Sequence, residues 1–273
     1  MAGNFSLKRA SDNQISSKVA QYRECPIAAP TVSLLSSLRN WWRRERRQAG
    51  VLSSLRQLAG VASEFLRDSM PDRRKQRYGD ADFDWECRVD TSSATVSWRT
   101  RLLGLFHSPY QPVEPQLFHE IMKALEIDFT RFTFVDIGSG KGRALLLATG
   151  YPFRQVVGIE LLPELHHIAQ QNITRASSGT GVRRNIEAIC GDAVEFVFPE
   201  DPLVIFLFHP LPEAGLSELV DNIETSLLDC PRPLYVIYAN PLFETIVAGC
   251  GRLRKIAGTH QYSLFTNAQD AAR

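Results

Sequence analysis

No run approaching the ~18 consecutive apolar residues of a membrane-spanning helix occurs in this 273-residue sequence. Its first residues hold no apolar segment bounded by small residues, so a secretory signal is not expected. Cysteine is scarce: Cys25, Cys87, Cys190, Cys230 and Cys250 are odd in number and widely spread, with neither a CxxC pair nor zinc-ligand spacing. Free thiols in a reducing, cytoplasmic setting are the expectation. No Ser/His/Asp arrangement points to a nucleophilic mechanism. His166 and His167 are neighbours on a helical stretch, where adjacent side chains diverge by ~100°, so no shared metal site is expected.

An excess of charge is lacking too, since the formal net charge is only +1. That balance conceals an asymmetry. Residues 1–80 carry 15 Lys/Arg against 7 Asp/Glu, or +8, and residues 81–273 carry 16 against 23, or −7. The chain has a basic front and an acidic body. Hydrophobic residues at 44% and charged ones at 22% are ordinary for a globular protein, so a sizeable core is expected.

Residues 1–30 are polar and aperiodic, which reads as a disordered tail. Residues 31–109 read as a basic helical and irregular cover. Val51, Leu55, Leu58, Ala62 and Phe65 form an apolar stripe at helical spacing. Ahead of it stands Trp41-Trp42-Arg43-Arg44-Glu45-Arg46-Arg47, a cluster suited to an anionic membrane surface or to nucleic acid. A solvated basic helix with its tryptophans packed on the domain explains it more simply. The stretch 77–93 alternates turn residues with aromatics, as an ordered lid or irregular cover does.

From Tyr110 onward the pattern becomes regular. A helix is expected over 116–126. Strands are expected over 132–136, 155–160, 185–190, 203–208 and 233–239, and helices over 142–149, 163–173, 212–228 and 241–248. A short helical segment near 193–197 follows the third strand. Two last strands, 252–256 and 262–266, have no helix between them. Strand–helix alternation with an antiparallel finish predicts a doubly wound, mostly parallel α/β sheet of seven strands, over a domain spanning 110–273. Ligands bind such sheets at the carboxyl ends of the strands, near the switch in strand order.

The chain is organised around Phe134-Val135-Asp136-Ile137-Gly138-Ser139-Gly140-Lys141-Gly142, where a buried strand feeds a helix through three alternating glycines. Such a turn lets backbone N–H groups approach a ligand with no Cβ in the way. The dinucleotide fingerprint G-x-G-x-x-G needs its third glycine one residue later than Gly142. Asp136 would repel a nearby pyrophosphate and favour a cationic group, an α-amine or a sulfonium. Glu160 ends the second strand, a little over twenty residues after the loop, placed to accept from ribose hydroxyls. Asp192, after the third strand in Gly191-Asp192-Ala193, can accept from an exocyclic amine while the next N–H donates to a ring nitrogen. It is equally suited to be a helix N-cap.

Together these residues resemble the class I S-adenosylmethionine-dependent methyltransferases, over roughly 110–266. The resemblance rests on Val135-Asp136-Ile137-Gly138-Ser139-Gly140-Lys141-Gly142, Gly158-Ile159-Glu160 and Gly191-Asp192-Ala193. It implies a Rossmann-like fold and S-adenosyl-L-methionine as cofactor. Gly138, Ser139, Gly140 and Gly142 would then wrap the methionine end with Asp136 near its amino group. Glu160 would hold the ribose, and Asp192 with Ala193 the adenine. The longer text, Tyr78-Gly79 through Val89-Asp90-Thr91 to Tyr110-Gln111-Pro112, looks like a bacterial methyltransferase family without an assigned substrate. More distantly, Tyr110-x-Pro112 resembles certain mitochondrial protein-lysine methyltransferases. In those the tyrosine segment closes over the methionine part, so Tyr110 is expected to act as a lid.

The fourth strand ends in Phe208-His209-Pro210, where many amine methyltransferases carry Asn or Asp before proline. His209 is either a general base, given its reference pKa of ~6.5, or a structural histidine beside Pro210. The expected activity is methyl transfer to an N or O atom of a protein side chain or small molecule. Two rivals stand beside it. One is a catalytically silent adenosylmethionine-binding module whose basic front contacts nucleic acid or membrane. The other is a nicotinamide oxidoreductase, which the loop spacing disfavours.

Overall fold

The computed structural model describes Arg39 and residues 81–93, 96–97, 110–180, 185–208 and 210–267. The tail over 1–30, the tryptophan cluster, the apolar stripe over 51–65 and His209 lie outside the described residues.

Seven strands form one sheet: β1 (Thr133–Ile137), β2 (Gln155–Glu160), β3 (Ile186–Cys190), β4 (Leu203–Phe208), β5 (Leu234–Ala239), β6 (Arg254–Gly258) and β7 (Tyr262–Thr266). Their order is β3-β2-β1-β4-β5-β7-β6. β1 to β5 pair in parallel, and β7 runs antiparallel between β5 and β6. Every residue of β1 and β2 is buried. Burial without alternation is what a parallel sheet covered on both faces requires. In register, Val135 stands level with Val157 and Ile205, and Phe134 with Val156 and Val204. The first set enters one hydrophobic core and the second the other.

Six helices flank the sheet among the described residues: α1 (Ala81–Cys87), α2 (Pro115–Ala124), α3 (Arg143–Ala148), α4 (Pro163–Thr180), α5 (Glu213–Asp229) and α6 (Glu244–Ala248). α5 buries Leu216, Leu219, Val220, Ile223 and Leu227, a stripe at three- and four-residue steps. α2 drives Phe118, Ile121 and Met122 onto the opposite face. There Phe118 meets Phe134 edge-on at 5.9 Å and Phe206 at 5.5 Å. Each such ring removed from water contributes roughly 1.5–3 kcal/mol.

The expected boundaries over 155–160, 203–208 and 262–266 coincide with β2, β4 and β7. The other expected elements shift at one or both ends, the last helix starting at Glu244 rather than 241, and four stretches are instructive. The stretch 77–93, expected to be an ordered lid or irregular cover, contains α1, a short helix. α4 continues to Thr180, past the expected end at Ile173, because the sequence there, Thr174-Arg175-Ala176-Ser177-Ser178-Gly179-Thr180, carries no apolar spacing. After β3 the short helical segment expected near 193–197 is a 3₁₀ turn, Ala193–Glu195. β6 begins two residues later than expected, since all five of its residues are exposed and its burial pattern carries no alternation.

Candidate functional site

β1 is the first strand, with β2 and β3 laid to one side and β4 and β5 to the other, so the order of winding reverses between β1 and β4. A cleft opens at the carboxyl ends of these strands, where ligands of doubly wound sheets bind. It is lined by Gly138 after β1, by Ile159, Glu160, Leu161 and Leu162 at the end of β2, and by Gly191, Asp192 and Ala193 after β3. Phe208, Pro210 and Leu211 close the β4 side, and Tyr110 with Gln111 enters from the preceding segment.

Gly138, Gly140 and Gly142 all have left-handed φ, at 72°, 54° and 84°. The loop is tightly covered by the protein itself. A Cβ at Gly138 would stand 2.6 Å from Pro210 Cβ, and one at Gly140 would stand 2.6 Å from Tyr110 Cδ2 and closer still to Cε2. Its amides are also committed. The Gly138 and Ser139 N–H groups both donate to the Ile159 carbonyl at 2.9 Å, and that of Gly142 to the Ser139 carbonyl at 2.8 Å. The Gly140 N–H donates to Glu160 Oε2 at 2.8 Å. The loop therefore does not offer its N–H groups to a ligand as its sequence suggests. They face the Ile159 and Ser139 carbonyls and the Glu160 carboxylate, which is not the arrangement of a phosphate cradle.

What the site presents instead is a pair of buried carboxyl groups. Asp136 is 3% exposed and Glu160 6% exposed. Burial, then the neighbouring Glu160 charge, pushes the Asp136 carboxyl up to about 8. Burial also raises Glu160, opposed by the N–H groups of Leu162, Gly140 and Leu161. Glu160 Oε1 accepts from Leu162 N–H at 2.8 Å. A carboxylate has about four lone-pair sites, so capacity for a diol remains. Two buried carboxyl groups, one of which opposes the ionisation of the other, are stabilised by a cation and destabilised by an anion.

Of the residues expected at the site, Tyr110, Gly138, Glu160, Asp192 and Ala193 meet on the cleft wall. Asp136, Ser139, Gly140 and Gly142 are not among the residues that line it. Ser139 is buried against Gly158, its hydroxyl lacking a hydrogen-bond partner, and Gly142 faces Ala169 of α4. Asp192 caps the 3₁₀ turn by accepting from Val194 N–H at 3.1 Å while its residue borders the cleft, so its two roles coexist. His209 lies outside the described residues.

Sequence reasoning missed the partners of Lys141 and Arg143. Lys141, fully buried, donates to Asp90 Oδ1 and to the Ser92 carbonyl, both at 2.9 Å. Arg143 reaches Asp84 Oδ1 at 3.3 Å and sits 5.1 Å from the Phe83 ring. Asn172 of α4 stitches the two segments together. Its Oδ1 accepts from Asp90 N–H at 2.9 Å, and its Nδ2 donates to the carbonyls of Asp90 and Lys141 at 2.7 and 3.0 Å. One signal was available. A cation opening a helix is opposed by the helix dipole, so Arg143 called for an acid from elsewhere, and the acid-rich stretch 80–90 was the nearest supply.

No protein-family model matches the chain, and no curated protein matches it. Solved structures do. The chain is similar to an RNA methyltransferase from Salinibacter ruber in complex with S-adenosyl-L-homocysteine, at 18% identity over 57% of this chain and 92% of that one, TM-score 0.39. It is similar to a TehB-like SAM-dependent methyltransferase from Corynebacterium glutamicum at 16% identity, over 54% and 85% of the two chains, TM-score 0.39. A ribosomal protein L11 methylase from Lactobacillus delbrueckii subsp. bulgaricus is similar at 16% identity, over 56% and 75%, TM-score 0.39.

Proposed function

We propose that this chain is an S-adenosyl-L-methionine-dependent methyltransferase acting on an N or O atom of a protein side chain or small molecule. The observation that carries the reading is the inward-turned glycine loop, whose amides bond to β2 and to Glu160 while Asp136 and Glu160 lie buried together. That arrangement disfavours a pyrophosphate and favours a cationic nucleoside. The cofactor would bring a methyl group already activated on a positively charged sulfur.

Glu160 would accept from the ribose hydroxyls, Asp192 and Ala193 would border the adenine, and Asp136 would face the α-ammonium. Ile159, Leu162, Leu165, Phe208 and Leu211 give the cleft an apolar wall, which would exclude water from the reacting atoms once the cofactor fills it. Methyl transfer of this kind depends mainly on in-line alignment, so no nucleophilic side chain is required. His209, flanked in the chain by the cleft residues Phe208 and Pro210, is assigned the acceptor's proton.

Replacing Glu160 with alanine is expected to weaken adenosylhomocysteine binding by ~1–3 kcal/mol through lost ribose hydrogen bonds. Calorimetry checks this, and an unchanged affinity removes Glu160 from the ribose. The function itself is tested by incubating the protein with tritiated adenosylmethionine and separate protein, RNA and metabolite pools. Label in protein or metabolites supports the reading, and label in RNA corrects the acceptor class. Cofactor binding without label in any pool would leave a silent binding module.

A further inference from the structure

The segment from Asp84 to Ser92 makes contacts that binding of a cofactor leaves unexplained, and they converge on Tyr110. Thr91 is fully buried, and its carbonyl accepts from the Tyr110 hydroxyl at 2.6 Å. That carbonyl is held from several directions. The N–H groups of Thr91 and Ser92 both donate to Asp84 Oδ2, at 2.8 and 2.7 Å, and the Thr91 hydroxyl donates to Asp84 Oδ1. The same hydroxyl accepts from Arg143 Nε at 2.7 Å, and Arg143 Nη2 stands 3.3 Å from Asp84 Oδ1. Arg143 is the first residue after the glycine loop. A continuous path of polar contacts therefore leaves the loop at Arg143, passes through Thr91 and Asp84, and returns to the loop as the Tyr110 ring lying over Gly140.

Strand order gives the cleft a direction. Asp192 and Ala193 at β3 mark one end, Glu160 at β2 the middle, and Gly138 at β1 with Pro210 at β4 the other end. Tyr110 packs on the β1 loop, away from the β3 end. We propose that Asp84, Thr91 and Arg143 are positioning residues that hold Tyr110 over Gly140 and thereby set the cleft's preference for a nucleoside bearing a methionine arm over the bare nucleoside. This rests on the reading of the cleft as an adenosylmethionine site.

The chemistry suits a fixed wall. Burial pushes the Tyr110 phenol far above its ordinary value, so its hydroxyl stays a donor throughout the working pH range. Arg143 is 2% exposed, and a buried cation without its carboxylate is strongly disfavoured, so Asp84 and the loop exit cannot drift apart. An anchored ring is already ordered before ligand arrives, so the methionine arm meets a preformed surface with little ordering cost. At the ribose and adenine end only Glu160 touches this path, by accepting from the Gly140 N–H.

The test compares dissociation constants for adenosylhomocysteine and for adenosine in the native protein and in Tyr110→Phe, Thr91→Val and Thr91→Ser. Tyr110→Phe removes one oxygen and keeps the ring. Thr91→Val removes the hydroxyl between Asp84 and Arg143, and Thr91→Ser keeps it. The expected result is an about tenfold loss of adenosylhomocysteine affinity in Tyr110→Phe and Thr91→Val, with adenosine binding within about twofold of native and Thr91→Ser close to native for both ligands. Equal losses for both ligands would mean general loosening and overturn the proposal, as would unchanged constants in Tyr110→Phe. Native protein that binds neither ligand would overturn the cofactor reading, and this inference with it. A native protein that binds both, with no selective loss in the variants, would overturn this inference alone.

Discussion

Asp136→Asn is expected to lose about 2–5 kcal/mol of affinity for S-adenosylmethionine, the cost of removing one partner from a buried charge pair. In the native protein, affinity is expected to rise with pH, about tenfold per unit from pH 6 to about 8, and to level off above. The sign follows from the carboxyl group's position. Without ligand Asp136 holds its proton until about pH 8, because burial and the Glu160 charge oppose ionisation. A cation bound beside it requires the ionised form, so binding below pH 8 must release a proton. Calorimetry in buffers of different ionisation enthalpy reads that release directly. It should be present with adenosylhomocysteine, whose α-ammonium remains, and absent with adenosine.

The same group makes the ligand-free fold pH-dependent in the opposite sense. Between the unfolded value of 3.8 and the folded value of about 8 the native state binds more protons than the unfolded chain. Stability contributed by this group is therefore full below pH 3.8 and is lost as pH rises through about 8. Asp136→Asn should remove that slope and unfold at a higher temperature than native protein above pH 8. A ligand affinity that ignores pH between 6 and 8 would take Asp136 out of the site.

Gly140→Ala is the second large effect. The residue's φ of 54° costs an L-residue about 1–2 kcal/mol, and its new Cβ would overlap the Tyr110 ring edge. Overpacking of this kind costs a further ~1–3 kcal/mol unless the ring moves. The ring is anchored through its hydroxyl to the Thr91 carbonyl, so it cannot yield without breaking that bond. The expected outcome is a clear fall in melting temperature and a loss of adenosylhomocysteine binding of at least tenfold. Gly140→Ala in a Tyr110→Ala background should recover part of the stability, because the overlap disappears and only the backbone strain remains. Equal destabilisation in both backgrounds would mean that Tyr110 does not cover Gly140 in solution.

The parts of this molecule that were legible from sequence are those set by local burial. β4 is an unbroken apolar run, and β2 carries Val156, Val157 and Ile159 between its polar ends, because the sheet is covered on both faces. Glu160 and Asp192 were legible for the same reason: each ends or follows a strand whose limits are plain, so its place at the cleft follows from the topology. The exposed edge strand β6 and the polar end of α4 carry no such pattern, and their boundaries shifted. The ion pairs of Lys141 with Asp90 and Arg143 with Asp84 join residues more than fifty positions apart, and no periodicity encodes such a pairing. The glycine loop shows the remaining limit. Its glycines were read as clearing space for a ligand's approach to backbone amides, whereas at Gly140 the space is filled by Tyr110 and the amide by Glu160.

The most direct test of this account is a pair of calorimetric titrations of the full chain at pH 8, one with adenosylhomocysteine and one with NAD. The cleft described here, with buried carboxylates and a loop whose amides are already bonded, predicts one-to-one binding of adenosylhomocysteine and no heat of binding from NAD. Binding of NAD alone would contradict it.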